Sequence, residues 1–207
     1  MEIKSPITTL IFDFGGVIIN LDLPECIENL RKTGFEDVEQ FLSNFGQKDF
    51  FLQYENGQID TAEFRNQIRR NTSVPLTDDD IDAAWCSFLR DIPAEKVQLI
   101  RELRKKYRLL LLSNTNTLHI EVSAAKALEP YNTALHELFD KLYLSCEMGL
   151  TKPSEAIFEA LLSDAGLRAE ECLFLDDGPK NIETANRMGF QTYFVTQGED
   201  LSFLLNL

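Results

Sequence analysis

The ten residues Leu10–Ile19, LIFDFGGVII, hold an apolar run that ends in an acidic residue and then meets two glycines. The β-branched and aromatic residues around Asp13 predict a buried strand, and Gly15 and Gly16 predict the turn that ends it. An aspartate in this place is either a turn residue or a carboxylate positioned for chemistry. The rest of the chain decides between these interpretations.

Four more stretches are predicted as buried strands, and helical patterns alternate with them. The strands are Tyr107–Thr115, Lys141–Glu147, Glu171–Gly178 and Phe190–Val195, and the helical patterns between them start near residues 93, 153 and 179. Each of these helical stretches has a proline at its start, and two of them end at a glycine. Strands that alternate with helices predict an α/β fold, a Rossmann-like parallel sheet.

Residues 20–92 interrupt this alternation. They contain helical patterns such as PECIENLRKTG, TAEFRNQIRRNT and TDDDIDAAWCSFL but no convincing buried strand. We therefore predict a helical cap domain over 20–92, inserted after the first strand, and a core domain of 1–19 and 93–207. The cap is rich in aromatic residues that we expect to form its own small core, with one or two near Phe50–Tyr54 facing the substrate: Phe41, Phe45, Phe50, Phe51 and Tyr54.

The composition of the 207 residues limits the classes of protein. With 44% hydrophobic and 26% charged residues the chain can bury a core, and a net charge of −14 disfavours nucleic acid as a partner. It has neither a signal-peptide pattern nor an apolar run of the roughly 20 residues that span a membrane. The four cysteines form no Cys-x-x-Cys pair, which favours reduced thiols and a cytoplasmic protein without a membrane partner.

Polar residues stand at or after the ends of several predicted strands. Asp13 ends the first strand, Ser113 the second and the pair Asp176 and Asp177 the fourth, while Lys152 follows the third. In an open α/β sheet these strand ends share one edge, where ligands bind. A carboxylate can attack phosphorus, a lysine and a Mg²⁺ ion can offset the charge, and a serine hydroxyl can hold the phosphoryl oxygens. The set therefore predicts phosphoryl transfer on a small phosphorylated metabolite.

The same residues carry a resemblance to a known family. The segments FDFGGV, LLLLSNT, GLTKPS and FLDDGPKNI resemble, in order, the four motifs of the haloacid dehalogenase superfamily, and the match extends from about residue 7 to residue 196. The segments SNTNTLH and GLTKPSEAIF are similar to the sugar-phosphatase branch that includes α-D-glucose-1-phosphate phosphatase. The resemblance implies a phosphatase that works through an aspartyl-phosphate.

The resemblance also implies a role for each motif residue. Asp13 is expected to be the nucleophile and Lys152 to stabilise charge. The expected phosphate or substrate contacts are Ser113, Asn114 and Lys152, and the expected Mg²⁺ ligands are Asp13, Gly15 through its carbonyl, Asp177 and Asp176. We expect Asn181 to orient Asp177 or the waters of the cation, and we assign His119 and His136 no role.

Gly15 is the departure from the common pattern. Most phosphatases of the superfamily have a second aspartate there, which protonates the leaving oxygen and later activates water. General acid–base catalysis contributes about 10²–10⁴-fold, so its absence favours substrates with a good leaving group. Two alternatives stay open: a 2-haloacid dehalogenase, which needs no such acid, and a non-catalytic phosphate-binding or regulatory protein. The sequence does not indicate an oligomeric state.

Overall fold

The computed structural model describes residues 6–43 and 47–207. Its centre is a sheet of five parallel strands in the order β3-β2-β1-β4-β5. The strands are β1 Thr9–Phe12, β2 Arg108–Ser113, β3 Lys141–Leu144, β4 Cys172–Asp176 and β5 Gln191–Phe194. The predicted α/β Rossmann-like sheet is thus confirmed. Strands β2 and β3 lie on one side of β1, and β4 and β5 lie on the other.

The central strands are buried on both faces, as their continuous apolar sequences predict. Alternate residues of β1 enter different clusters: Leu10 and Phe12 pack on one face, and Ile11 packs on the other with Phe174 of β4. This two-sided burial fixes the register, because a shift by one residue would exchange the two faces. The ends of β1 and β4 are thereby held side by side.

The described part of the chain contains ten α-helices, of which the first four form a separate cap. The ten helices are α1 Leu23–Lys32, α2 Asp49–Glu55, α3 Thr61–Arg70, α4 Asp78–Cys86, α5 Ala94–Leu103, α6 Ala125–Leu128, α7 Leu135–Leu138, α8 Ser145–Met148, α9 Glu155–Ala165 and α10 Pro179–Arg187. A π-helical turn, His119–Ala124, leads into α6. Across 6–43 and 47–207, none of the helices is both long and apolar enough to cross a lipid bilayer.

The predicted strand and helix bounds differ from the structure by up to three residues, and two of these differences have a visible local cause. The third strand ends at Leu144 instead of Glu147, because α8 begins at once with Ser145. The helix predicted to start at Pro153 starts at Glu155, where the Ser154 hydroxyl accepts a hydrogen bond from the N–H of Ala156 and caps the helix.

Helices α1–α4 lie between β1 and β2 and enclose a hydrophobic cluster of their own. Its centre is aromatic: the ring of Phe51 lies 5.5 Å from that of Phe64 and 5.1 Å from that of Trp85. Thr77 caps α4 in a capping box with Asp80, which fits the predicted helix start. We call residues 20–92 the cap; these bounds stay a prediction.

The chain enters and leaves the cap through two adjacent extended segments. Leu21 and Leu89 form an antiparallel bridge. Beside them the N–H of Asn20 donates to the carbonyl of Asp91 at 3.0 Å, and the carbonyl of Asn20 accepts from Arg90 at 2.8 Å. This neck holds the cap above the carboxyl ends of the strands.

The cysteines are free thiols, as predicted. Cys26 and Cys172 are buried, whereas Cys86 and Cys146 are partly exposed. Phe45, one of the aromatic residues predicted for the cap core, lies outside the described residues.

Candidate active site

The carboxyl edge of the sheet opens into a small cavity beneath the cap. Its volume is about 70 Å³. Strand-end residues form its floor, and six of the seven residues predicted as catalytic, substrate-binding or metal-binding lie in its wall, together with Asn181: Asp13, Gly15, Ser113, Asn114, Lys152 and Asp177. Asp176, the seventh, lies directly behind Lys152.

Asp13 directly follows β1 and is held on both sides. Its N–H donates to the carbonyl of Leu175 at 2.8 Å, and the N–H of Phe14 donates to Oδ1 at 2.6 Å. Burial raises the pKa of Asp13 well above its ordinary value; Asp176 and Asp177 raise it further, and Lys152 works against them. A bound cation would favour the ionised form that a nucleophile requires.

Lys152 bridges two carboxylates. Its Nζ lies 2.9 Å from Oδ1 of Asp13 and 2.7 Å from Oδ2 of Asp176, and only 1% of its side chain is exposed. Burial lowers the pKa of the ammonium, but Asp13 and Asp176 outweigh burial and raise it above its ordinary value. The lysine is therefore charged and fixed next to the oxygen of Asp13.

Asp176 holds Lys152 from behind. Its Oδ1 accepts hydrogen bonds from the N–H of Gly178 at 2.7 Å and from Nδ2 of Asn181 at 2.8 Å. We predicted that Asn181 orients Asp177 or the waters of the cation. Its amide binds Asp176 instead of Asp177, because the first turn of α10 turns Asn181 toward the end of β4, and the contact with the waters stays a prediction. Asn181 therefore stabilises the carboxylate that positions Lys152.

Three carboxylates form the group that fits a divalent cation. Asp13, Asp176 and Asp177 each place an oxygen within 4.8 Å of the others. Oxygen donors of this kind suit Mg²⁺. Burial, with the charge of Asp176, raises the pKa of Asp177 to about 6, although the charge of Lys152 works against both. Because Asp176 already accepts three hydrogen bonds, Asp13 and Asp177 have the greater capacity for a cation.

Gly16 allows Asp177 to lie close to the turn after β1. Its φ angle is +70°, and a Cβ atom at this position would lie 2.2 Å from Oδ2 of Asp177. Any other residue would therefore push the carboxylate away. Gly15, in the neighbouring position, lies in the cavity wall and offers only backbone atoms there.

Ser113 ends β2, and Asn114 follows it beside Lys152. Ser113 is buried at the cavity wall, where its hydroxyl can reach a ligand. The Asn114 amide pairs with the backbone of Lys152: Nδ2 donates to the carbonyl and Oδ1 accepts from the N–H, both at 2.9 Å. Asn114 therefore fixes the loop that presents the lysine, and its predicted substrate contact stays a prediction.

The cap supplies the roof of the cavity. Leu21, Phe88 and Leu89 are apolar, whereas Gln47 and Glu55 are polar and buried. Neither Gln47 nor Glu55 is predicted from the sequence. A signal for Glu55 existed: it follows Phe51 by four residues, so it is a charged residue on the buried face of α2.

Tyr54 does not fit the role suggested for it. Its hydroxyl lies 2.8 Å from the Thr61 hydroxyl and accepts a hydrogen bond from the N–H of Leu118 at 3.1 Å, and its ring stacks on Phe64. The side chain is buried within the cap, and the preceding turn of α2 places Phe51 in the same cluster. The prediction that an aromatic residue near Phe50–Tyr54 faces the substrate was wrong, because packing takes these rings inward.

His119, which we assigned no role, lies in the cavity wall as a neutral group. Its ring stacks on Trp85 at 4.5 Å, and its Nδ1 lies 3.1 Å from the Asn116 amide nitrogen. Burial lowers its pKa to about 3. Its packing against the cap core accounts for its position.

Comparisons with known proteins agree with this arrangement. The family described as haloacid dehalogenase-like hydrolase matches residues 7–189. A D-ribitol-5-phosphate phosphatase of Bacteroides thetaiotaomicron is 33% identical over 97% of this chain and 99% of its own length. A haloacid dehalogenase family enzyme of the same organism, solved with magnesium and inorganic phosphate, is 43% identical over 96% of this chain and 98% of that one, with a TM-score of 0.89.

A third relative is a predicted hydrolase of this family from Porphyromonas gingivalis, 40% identical over 95% of this chain and 94% of that one, with a TM-score of 0.88. These matches extend over at least 95% of this chain and therefore include both the core and the cap. The chain is therefore an enzyme of the haloacid dehalogenase-like hydrolase family.

Proposed function

We propose that the chain is a Mg²⁺-dependent phosphatase that hydrolyses a small sugar phosphate or sugar-alcohol phosphate through an aspartyl-phosphate. The observation that carries the proposal is the position of Lys152 between Asp13 and Asp176, beside the carboxylate of Asp177. The relative named as a D-ribitol-5-phosphate phosphatase, and the relative solved with magnesium and phosphate, support the same cofactor and the same class of substrate.

In the proposed reaction an oxygen of Asp13 attacks phosphorus and the ester oxygen leaves. Lys152 offsets charge on the transferring group, and the Ser113 hydroxyl binds one of its oxygens. Asp13, the Gly15 carbonyl and Asp177, with Asp176 beside them, would hold Mg²⁺, which shields the phosphate dianion from the attacking carboxylate. Water then hydrolyses the aspartyl-phosphate and restores Asp13.

The acidic cluster distinguishes this function from a haloacid dehalogenase. A haloacid carries a carboxylate, and three aspartates at the same edge would repel it unless a cation is present. A purely phosphate-binding protein needs no nucleophile, yet the hydrogen bond from Phe14 and the ammonium of Lys152 fix Asp13. A small phosphorylated partner, no nucleic acid and a cytoplasmic location, which the free thiols favour, complete the proposal.

The test is phosphate release from a panel of phosphomonoesters with and without Mg²⁺. D-Ribitol 5-phosphate, sugar 1-phosphates and an aryl phosphate are compared for the native protein and Asp13→Asn. We expect metal-dependent release that Asp13→Asn abolishes. Release that needs no metal, or that survives this substitution, would contradict the mechanism; halide release from 2-chloropropionate by a protein inactive on every ester would support the dehalogenase.

A further inference from the structure

A carboxylic acid of the cap lies in the roof of the cavity. Glu55 ends α2 and is only 5% exposed, yet it contributes to the wall of the same cavity as Asp13 and Lys152. It is near enough to Lys152 for the ammonium to stabilise its charged form. The phosphatase mechanism above gives this acid no task.

The position of Glu55 matches the task that Gly15 leaves open. In an in-line displacement the leaving oxygen departs on the side of phosphorus opposite to the nucleophile. Asp13 attacks from the strand end, so the ester oxygen leaves toward the cap. Water that hydrolyses the aspartyl-phosphate must approach from the same side. An acid in the roof is therefore at the correct end of the reaction path for both steps.

Other carboxyl groups at the site have different partners. Asp13 is the nucleophile, Asp176 binds Lys152, Gly178 and Asn181, and Asp177 lies in the cation cluster. Among the described residues that line the cavity, Glu55 is the carboxylic acid outside that cluster.

The backbone of Glu55 is fixed to the core. Its carbonyl accepts a hydrogen bond from the Ser145 hydroxyl at 2.7 Å, and the same hydroxyl accepts from the N–H of Thr115 at 2.9 Å. Two residues later Gly57, with φ +65°, packs so closely on the carbonyl of Cys146 that a Cβ atom would lie 2.0 Å from it. The end of α2 is thus held at a defined height above the strand ends.

We propose that Glu55 is the general acid and base of the reaction, delivered by the cap in place of the side chain that Gly15 lacks. This inference rests on the proposed phosphatase function. As the Asp13–phosphorus bond forms and the ester bond breaks, Glu55 gives its proton to the leaving oxygen and becomes a carboxylate. In the second step the carboxylate takes a proton from water, whose oxygen bonds to phosphorus as the bond to Asp13 breaks.

The environment of Glu55 supports this protonation cycle. Burial raises its pKa to about 8, while a hydrogen bond from Gln47 and the charge of Lys152 limit the increase. The acid is therefore protonated at neutral pH when the substrate binds. A pKa close to the working pH suits a group that must both give and take a proton.

The test compares Glu55→Gln with the native protein on two esters. D-Ribitol 5-phosphate has an alkoxide leaving group that needs a proton, and 4-nitrophenyl phosphate has one that does not. For Glu55→Gln we expect the single-turnover rate on the alkyl ester to fall by about 10²-fold or more. On the aryl ester the first step should keep its rate while water attack slows, so that a burst of nitrophenol precedes slow turnover.

Two further variants complete the experiment. Asp49→Asn changes an exposed carboxylate on the same helix and should leave both esters unaffected. Glu55→Asp retains the acid on a shorter side chain, and we expect it to keep part of the rate on the alkyl ester. This variant tests the assignment if Glu55→Gln folds poorly. Equal losses in the single-turnover rate of the first step on the two esters, or a change confined to KM, would overturn the assignment and make Glu55 a binding or structural residue. A native protein that is inactive on every ester of the panel described above would overturn the proposed function and this assignment together.

Discussion

Asn114 and Lys152 hold each other through two hydrogen bonds of 2.9 Å, in which the Asn114 amide donates to the Lys152 carbonyl and accepts from the Lys152 N–H. The two residues follow different strands and are 38 positions apart in the chain. The pair therefore connects the loop after β2 to the loop that presents the ammonium. The position of the Lys152 ammonium therefore depends on the two hydrogen bonds that Asn114 makes with the backbone of Lys152.

Replacement of Asn114 by alanine should lower kcat by about 10²-fold, because a shift of about 1 Å in a charged group next to the reacting atoms costs about that much. Steady-state kinetics on the best ester of the panel measures the effect. Asn186→Ala, a change of an exposed asparagine on α10, serves as the control. A rise in KM with kcat unchanged would instead favour the predicted role of Asn114 as a substrate contact.

Replacement of Gly16 by alanine should weaken Mg²⁺ binding, because the new Cβ would lie 2.2 Å from Oδ2 of Asp177 and displace that carboxylate. Calorimetric titration of the protein with MgCl₂ measures the affinity. Gly166→Ala is the matched control: its φ of +65° resembles the +70° of Gly16, but no atom lies within 4 Å of the added Cβ. The control carries the strain of a side chain at positive φ alone, about 1–2 kcal/mol. Equal Mg²⁺ affinities in the two variants would show that Asp177 does not hold the cation.

The stability of the native protein should fall relative to that of Glu55→Gln as the pH rises from 5 to 9. Burial raises the pKa of Glu55 to about 8 from an ordinary value of 4.5. The stabilisation by the protonated form is thus complete below pH 4.5 and is lost as the pH passes 8. The ionisable groups that act on it are Lys152 and Cys146, and they are present in both proteins. Their effects therefore largely cancel when the two are compared.

Thermal unfolding of both proteins across this pH range, in the absence of Mg²⁺, gives the comparison. A stability difference that does not change with pH would mean that Glu55 ionises with an ordinary pKa. With an ordinary pKa, Glu55 would still lie in the roof of the cavity but would be ionised at neutral pH, so it could not protonate the leaving oxygen.

The sequence predicts the core of this molecule well because the determining signals are local. Continuous apolar runs such as that before Asp13 mark strands buried on both faces, and parallel strands bring their ends to one edge. The strand ends therefore place Asp13, Ser113 and Asp176 correctly without any knowledge of the cap. Lys152 follows from its position after the third strand.

The remainder depends on contacts between distant parts of the chain. The early end of β3 reflects the Ser145 hydroxyl, which binds Thr115 and Glu55, and no pattern near residue 145 indicates either partner. The error over Tyr54 has a similar origin, because its hydroxyl binds Leu118, 64 residues away. Such tertiary contacts determine which face of a cap helix lines the cavity. The sequence therefore shows that Glu55 lies on the apolar face of α2 but does not predict that it reaches the cavity.

The neck at Leu21 and Leu89 allows the cap to change without a change in the catalytic core. The two ends of the insertion are hydrogen-bonded to each other at the neck. The core sheet can therefore form with an insertion of different length, because the entropy cost of closing a loop rises only slowly with the number of residues in it. A different helical module could occupy this place while Asp13, Lys152 and Asp177 kept their geometry. Phosphoryl transfer by the core and the cap's specificity for the alcohol part of the substrate can therefore change independently, except where a cap residue takes part in the reaction itself.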